Sequence, residues 1–399
     1  MRITLTVTEG PHKGLEFAFA RHDTFLVGRS RHAHFQLPAK DKFFSRIHFL
    51  IEVNPPQCRL VDLGSHNGTY VNGSRVLSAD LNDGDQIRAG HTILKLMVHS
   101  PTPENAPMEA GRGHFDRPRV NLHAATPGHV LQRELGRGPL GTVYLASREA
   151  DGSQVCVKVV VPKMAGSAKQ IETFLHEARA LTALKHAHIA ALRDLGESGA
   201  LLYFVSDYVP GVDAGRVLKE HGPLALPRVL ALADQALQAL EFAHAMGIVH
   251  RDIKPSNLML WEAGGQESLA LTDCGVARVY DASQLSGVTM TTDLEGAVAF
   301  MPPEQLTNYR EVLPSADQYA LAATLYTLLT GQHIFDFPAE TPRQFSVILR
   351  QTPVPIQTRR PDVPDGVAAA LHKALARNPA NRFENVAAFR KALSSAILA

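Results

Sequence analysis

Between residues 101 and 124 the chain loses every periodicity that could build a core: Pro101, Pro103, Pro107 and Pro118 stand there among small and polar residues. Proline fixes φ and removes a backbone donor, so the stretch reads as a linker, residues 100–124. The 399 residues are thereby divided into two folding units. Ahead of the linker, apolar positions such as Ile3, Leu5 and Val7, or Ile93, Leu94 and Leu96, are punctuated by the turn pairs Asn67-Gly68, Asn72-Gly73 and Asp83-Gly84. That pattern predicts an all-β sandwich over residues 1–99. Behind the linker, strands at Val143 and Leu145 and at Val155, Val157 and Val159 give way near residue 170 to helical periodicity, so residues 125–399 form an α+β unit. The clearest helix runs from Pro227 to Met246, with Leu230, Leu237, Leu240 and His244 on one face and Gly247 just past its end.

Composition narrows the function classes. Forty Lys and Arg against 39 Asp and Glu leave a net charge of +1, with no bulk charge to recruit nucleic acid or an anionic membrane. Cys58, Cys156 and Cys274 are odd in number, far apart and without CxxC spacing, which fits neither a disulfide framework nor a zinc site and points to a reducing compartment. The start MRITLTVTEG lacks a basic, then apolar, leader, and no apolar run approaches the ~18 residues of a membrane span. A soluble, cytoplasmic protein is expected.

After the apolar residues Val130, Leu131 and Leu135 comes Gly136-Arg-Gly138-Pro-Leu-Gly141-Thr-Val143. Glycines let backbone amides approach phosphate oxygens closely, because no Cβ stands in the way. Taken alone, the spacing fits a dinucleotide site or a flexible hairpin equally well. The next strand carries Val155-Cys156-Val157-Lys158, alternating so that Lys158 faces away from its apolar neighbours, where an ammonium can grip phosphates. Glu177 follows in a helical pattern built on Phe174, Ala178 and Leu181, and a carboxylate there can hold Lys158 in position. The loop after Gly247 reads His250-Arg251-Asp252-Ile-Lys254-Pro-Ser-Asn257, and Asp273-Cys274-Gly275 comes after it.

This order of motifs, over about residues 129–399, resembles the eukaryotic-type (Hanks-type) Ser/Thr protein kinases. The resemblance implies a bilobal kinase fold, with a smaller lobe over about 125–205 and a larger one over about 210–399. It implies ATP and Mg2+ as cofactors: Gly136, Gly138, Gly141, Val143, Lys158 and Glu177 around the nucleotide, and Asn257 and Asp273 on the magnesium ions. It makes Asp252 the acceptor of the substrate hydroxyl proton and Lys254 the contact to the transferring phosphate, which marks the substrate as Ser/Thr. Asp207, Tyr208 and Val209 resemble the hinge that meets adenine, which leaves the small Ser206 as gatekeeper to an open back pocket. Glu304 in Pro302-Pro303-Glu304 and Arg382 look like the family's buried salt bridge, and Asp317 like the aspartate that ties down the catalytic loop. Three residues depart from the pattern. Cys274 and Cys156 replace a phenylalanine and an alanine, and Ala297 replaces a threonine that bridges Asp252 and Lys254. Arg251 before Asp252 implies activation by a phosphothreonine, for which Thr289, Thr291 and Thr292 are the candidates.

The β unit carries Val27-Gly28-Arg29, Ser45-Arg46-Ile47-His48 and Asp62-Leu-Gly-Ser-His66-Asn67-Gly68-Thr69. A dianionic phosphate needs a guanidinium and hydroxyl donors converging from separate loops. The order of these motifs over residues 1–99 resembles the forkhead-associated (FHA) domain, which binds phosphothreonine peptides. Arg29, Ser45 and Arg46 are then the phosphate ligands and Asn67 the contact to the peptide backbone, while His48 and Gly68 shape the loops. His66 departs from the usual Ser/Thr. The partners expected are protein substrates and phosphothreonine peptides, with self-association compatible and no nucleic acid. The leading reading is a Ser/Thr kinase with a recruiting FHA module, and the alternative is a phosphopeptide-binding scaffold with a feeble kinase fold.

Overall fold

The computed structural model describes residues 2–30, 33–37, 43–99, 126–138, 141–162, 168–199, 201–276, 279, 283, 296–307 and 312–398. The linker and Thr289, Thr291 and Thr292 lie outside the described residues.

Among the described residues, eleven strands build the first domain: β1 (Arg2–Glu9), β2 (Glu16–Phe19), β3 (Asp23–Gly28), β4 (Phe35–Gln36), β5 (Phe49–Asn54), β6 (Gln57–Asp62), β7 (Thr69–Val71), β8 (Ser74–Val76), β9 (Ser78–Asp80), β10 (Gln86–Ala89) and β11 (Thr92–His99). They pair as two sheets, β2-β1-β11-β10-β7-β8 and β4-β3-β5-β6-β9. Alternate residues of each, among them Ile3, Leu5, Val27, Phe49, Ile51, Ile87, Leu94 and Leu96, fill the space between the sheets as one buried cluster. The sandwich expected from the turn spacing is thus present.

In the second domain β12 (His129–Gly138), β13 (Gly141–Arg148), β14 (Gln154–Val160), β15 (Leu192–Ser198) and β16 (Leu201–Asp207) form a sheet of order β12-β13-β14-β16-β15. Val155, Val157, Tyr203 and Val205 bury one of its faces. Against the other face, where Val160, Leu195 and Phe204 lie, packs α1 (Ala168–Arg179) through Phe174 and Ala178. The larger lobe holds a small sheet, β17 (Val212–Asp213), β18 (Leu258–Ala263) and β19 (Gln266–Leu271). Its helices are α2 (Ala214–His221), α3 (Leu226–Ala245), α4 (Pro303–Thr307), α5 (Ser315–Thr330), α6 (Thr341–Arg350), α7 (Ile356–Arg359), α8 (Asp365–Ala374) and α9 (Val386–Leu398). The helix expected over Pro227–Met246 is α3, begun by a proline in its first turn and followed by Gly247 at φ 73°. From Ala316 to Thr330 every residue of α5 is buried, as an apolar circumference requires, and Gly331 closes the helix in the left-handed region at φ 70°. Because α5 is the centre of the lobe, a polar group on it sits deep below the loop at 250–257. Asp317 is such a group.

Candidate functional site

Asp317 is 0% exposed and accepts three hydrogen bonds: from the His250 amide at 2.9 Å, the Arg251 amide at 2.9 Å and the His244 ring at 2.7 Å. Burial alone would raise its carboxyl, but the His244 hydrogen bond and charge, His250 and the Arg251 amide outweigh it and hold the carboxyl below the usual range. The loop it grips is strained at Arg251, φ 67°, and Asp273 beyond β19 is at φ 58°, both in the left-handed region that non-glycine residues avoid. His244 is a partner that the sequence reading placed on the core face of α3 without a role. Its function is set by α5, far off in the chain.

The grip presents a cluster of polar groups. Lys254 Nζ reaches both Asp252 oxygens, at 2.9 and 2.8 Å. Asn257, itself buried, donates its amide to the Asp252 carbonyl at 2.7 Å and to Oδ2 at 2.9 Å. Ala297 offers no hydroxyl to this pair, so Lys254 alone of the basic residues meets the Asp252 carboxylate among the described residues.

Across the cleft, Lys158 on β14 donates to Asp273 Oδ2 at 2.8 Å. Burial pushes the Asp273 carboxyl up, but the Lys158 charge and hydrogen bond pull it further down, below the ordinary value. This corrects the expected partnership of Lys158 with Glu177. Glu177 is exposed, and Lys158 is paired with Asp273 instead. The cause lies in α1: its buried face is Phe174 and Ala178, continued by Leu181 in the turn that follows, and Glu177 sits one residue, about 100° of helix rotation, before Ala178.

The glycines of the β12–β13 hairpin divide into two kinds. A Cβ on Gly136 or Gly138 would meet open space, so both leave room for a phosphate chain. Gly141, at φ 145°, would put a Cβ 2.1 Å from the Val159 carbonyl, so it is required by strand packing whatever binds nearby. Val143 stands beside it in register with Lys158. Behind Lys158 and Asp273 lies a cavity lined by Leu181, Phe204, Cys274 and Ser206 among others. Asp207 spends its side chain on Arg193, at 2.6 and 3.0 Å, and its amide on the Ala191 carbonyl, while the Val209 carbonyl accepts from Gly211. Both cysteines behave as small hydrophobes: burial raises the Cys156 thiol to about 11 and pushes that of Cys274 higher still. Glu304 and Arg382 form a two-bond pair, at 2.5 and 2.8 Å, with the guanidinium 0% exposed.

At the end of the sandwich, four loop residues converge. Arg29 donates through Nε to the Phe44 carbonyl at 2.5 Å and through its amide to the Ser45 carbonyl at 3.1 Å. Ser45 Oγ accepts from the His66 amide at 3.0 Å, leaving its own proton to give, and Asn67 donates to the Phe43 carbonyl at 2.9 Å. Arg46 is exposed beside them. Buried His48 accepts the Ser45 amide at Nδ1 and, having its proton on Nε2, donates to the Gly68 carbonyl at 3.3 Å, so it ties the two loops together.

Comparison with known proteins identifies both domains. The protein kinase domain model matches residues 129–394, and the FHA domain model residues 25–90. The Streptomyces coelicolor serine/threonine-protein kinase PkaA is 35% identical over 266 residues, 64% of this chain and 47% of the relative. Serine/threonine-protein kinase PknA of Mycobacterium tuberculosis is 32% identical over 283 residues, 70% of this chain and 63% of the relative. The chain spans about half the length of the curated relatives it matches. Among solved structures, the Mycobacterium tuberculosis PknI kinase domain aligns with a TM-score of 0.53 and 28% identity over 68% of this chain and 96% of that one. Rad53 residues 1–466 in complex with AMP-PNP align with a TM-score of 0.53 over 98% of both chains, and at 20% identity the likeness is one of fold alone. No described helix is long and apolar enough to cross a membrane. With a family model covering more than half of its length, this chain belongs to the protein kinase family and carries an FHA domain ahead of its kinase domain.

Proposed function

We propose that the chain is an ATP-dependent protein serine/threonine kinase whose FHA domain recruits phosphothreonine-bearing substrates or regulators. The observation that carries the reading is the convergence of Lys254 and Asn257 on the Asp252 carboxylate, opposite the Lys158–Asp273 pair. Asp252 is oriented by these two donors to take the proton of a serine or threonine hydroxyl, and Lys254, which reaches its carboxylate, is the residue to meet the transferring phosphate. Asn257 has committed its amide nitrogen to Asp252, which turns its carbonyl oxygen outward. That oxygen and the Asp273 carboxylate are hard donors of the kind Mg2+ takes. Bound magnesium supplies charge neutralisation on the ATP phosphates. Lys158 would hold the nucleotide phosphates, and Gly136 and Gly138 leave space where they would approach. Backbone groups at Asp207 and Val209 form the adenine edge of this reading. A phosphothreonine on Thr289, Thr291 or Thr292 facing Arg251 is its activation step.

In the FHA domain, Arg29, Ser45 and Arg46 hold the phosphate and Asn67 the peptide backbone. Three free, buried or half-buried cysteines suit a reducing cytoplasm. The scaffold reading is not favoured, because Lys158, Asp252, Asn257 and Asp273 are all present. Labelled phosphate transfer from ATP and Mg2+ to dephosphorylated casein, wild type against Asp252→Asn, tests the proposal. A loss of roughly 10²–10⁴-fold is expected, and equal labelling by both proteins refutes it.

A further inference from the structure

The sheet β4-β3-β5-β6-β9 is covered on both faces, although only one of them meets the other sheet. Alternation sends Phe25, Val27, Phe49, Ile51 and Leu60 into the sandwich and Leu26, Leu50 and Val61 out of it. Leu26 pairs in register with Leu50, and Leu50 with Val61, so the three make one apolar row across the strands. None is more than 1% exposed. What covers the row is the kinase domain, for it belongs to one buried cluster with Leu306 of α4 and with Phe345 and Ile348 of α6. At the end of β5, Asn54 Nδ2 donates to the Ser283 carbonyl at 3.5 Å.

The rim of this contact runs under the phosphate loops. Arg350, the last residue of α6, donates to the Ile47 carbonyl at 2.5 Å and to the Leu63 carbonyl at 3.5 Å. Ile47 directly follows Ser45 and Arg46, and Leu63 precedes the turn that bears Ser65, His66 and Asn67. One guanidinium of the kinase domain therefore holds the bases of both loops whose side chains converge on the phosphate. It also faces Arg46, whose charge, after burial, pushes the Arg350 guanidinium down. A dianion bound at Arg46 relieves that repulsion.

We propose that Arg350 is a positioning residue for the phosphothreonine pocket, supplied by the kinase domain, so that phosphopeptide binding and docking of the two domains are coupled. The proposal rests on the reading of the FHA pocket given above. Its sign follows from the geometry: the docked form has both loops tethered and one more cation near the phosphate, so it binds phosphothreonine more tightly. By linkage, a bound phosphopeptide tightens docking to the same degree.

The test is the affinity of the full chain for a phosphothreonine peptide pool with randomised flanks, read by fluorescence anisotropy alongside the solution radius of gyration. Arg350→Ala lowers affinity roughly tenfold, within the usual range of coupling between sites, and Arg350→Lys, which keeps a charge and a donor, recovers part of it. Leu26→Asp, which breaks the apolar row at a side chain that packs in the kinase-domain cluster and is not itself a phosphate ligand, lowers affinity comparably and expands the protein. If that variant fails to fold by circular dichroism, Leu26→Ala takes its place. Arg29→Ala abolishes binding, and an Arg29→Ala variant that binds like the wild type refutes the pocket reading itself. Loss with Arg29→Ala but affinities within twofold of the wild type for Arg350→Ala and the Leu26 variant overturn the proposal. Expansion of the wild type on saturation with the peptide overturns it as well.

Discussion

Replacing Asp317 by asparagine tests whether the buried grip under the catalytic loop is electrostatic. The substitution keeps shape and one acceptor oxygen but removes the charge that three donors share, and it turns an amide hydrogen toward one of them. Hydrogen bonds to a charged acceptor contribute about 1.5–3 kcal/mol each, and breaking one side of a buried charged pair costs about 3–5 kcal/mol. At about 2–4 °C per kcal/mol for a domain of this size, the melting temperature falls by roughly 6–20 °C. Activity falls further than folding does. Arg251 is kept at φ 67° by its bond to Asp317, strain of this type is on the order of 1–3 kcal/mol, and Asp252 is the next residue. A displacement of about 1 Å at such a group costs roughly 10²-fold in rate. The pH dependence has a fixed sign. Because the folded carboxyl lies below its ordinary value, its stabilisation is complete above the unfolded value of about 3.9 and is lost as pH falls through the folded one. The melting gap between wild type and variant therefore closes in strong acid. Differential scanning fluorimetry across pH and kcat on a short peptide check both parts. A variant that melts within about 2 °C of the wild type at pH 7 and turns over at a similar rate refutes the reasoning.

Four other outcomes follow from particular contacts. Arg382→Ala leaves Glu304 without the guanidinium that is 0% exposed beside it, and should cost about 3–5 kcal/mol of kinase-domain stability in denaturant titration, with kcat per folded molecule little changed. Gly28→Ala places a Cβ 2.4 Å from the Arg46 backbone carbonyl, so the strand and the phosphate loop must shift, and both phosphothreonine peptide affinity and the melting point of the FHA domain fall, the latter by overpacking of about 1–3 kcal/mol. With a thiol near 11, Cys156 is ionised in roughly one molecule per thousand at pH 8, so iodoacetamide labels it far more slowly than a free thiol in peptide mass mapping. Thr289→Ala, Thr291→Ala and Thr292→Ala together bring protein phosphorylation down to the level of phosphatase-treated wild type, as comparison of the two preparations will show.

The parts of the site that were legible in the sequence are those written in one short stretch. Asp252, Lys254 and Asn257 lie within six residues, and their mutual distances follow almost directly from the loop they share. Relations set by packing between distant elements were not legible. His244 reads as one more position on the inner face of α3, and only the burial of α5 turns it toward Asp317. Glu177 shows the converse. Its spacing from Lys158 permits the pair, but the Phe174, Ala178 and Leu181 stripe decides which way the helix faces, and that stripe leaves the carboxylate outside.

The same reasoning explains why the sandwich gave no sign in its sequence of a second partner. An antiparallel sheet with one wet face reads as clean alternation, whereas β5, Phe49-Leu-Ile-Glu-Val-Asn54, is buried at all six positions. Its outward residues are a mixture, Leu50 apolar but Glu52 charged and held at 3.0 Å by buried His22, so neither a continuous apolar run nor an alternating one stands out. The magnitudes still favour docking. Fully burying Leu26, Leu50 and Val61 is worth roughly 1.5–3 kcal/mol each, an upper figure because the reference is complete exposure. Joining two tethered bodies at an effective concentration near ~1 mM costs about 4 kcal/mol. The surplus is at most a few kcal/mol, which puts the docked and undocked forms within a few kcal/mol of each other. At that separation a tenfold ligand preference, about 1.4 kcal/mol, shifts the populations measurably, so the few hydrogen bonds at the rim, those of Arg350 foremost, decide how strongly the phosphopeptide pocket and the kinase domain act on one another.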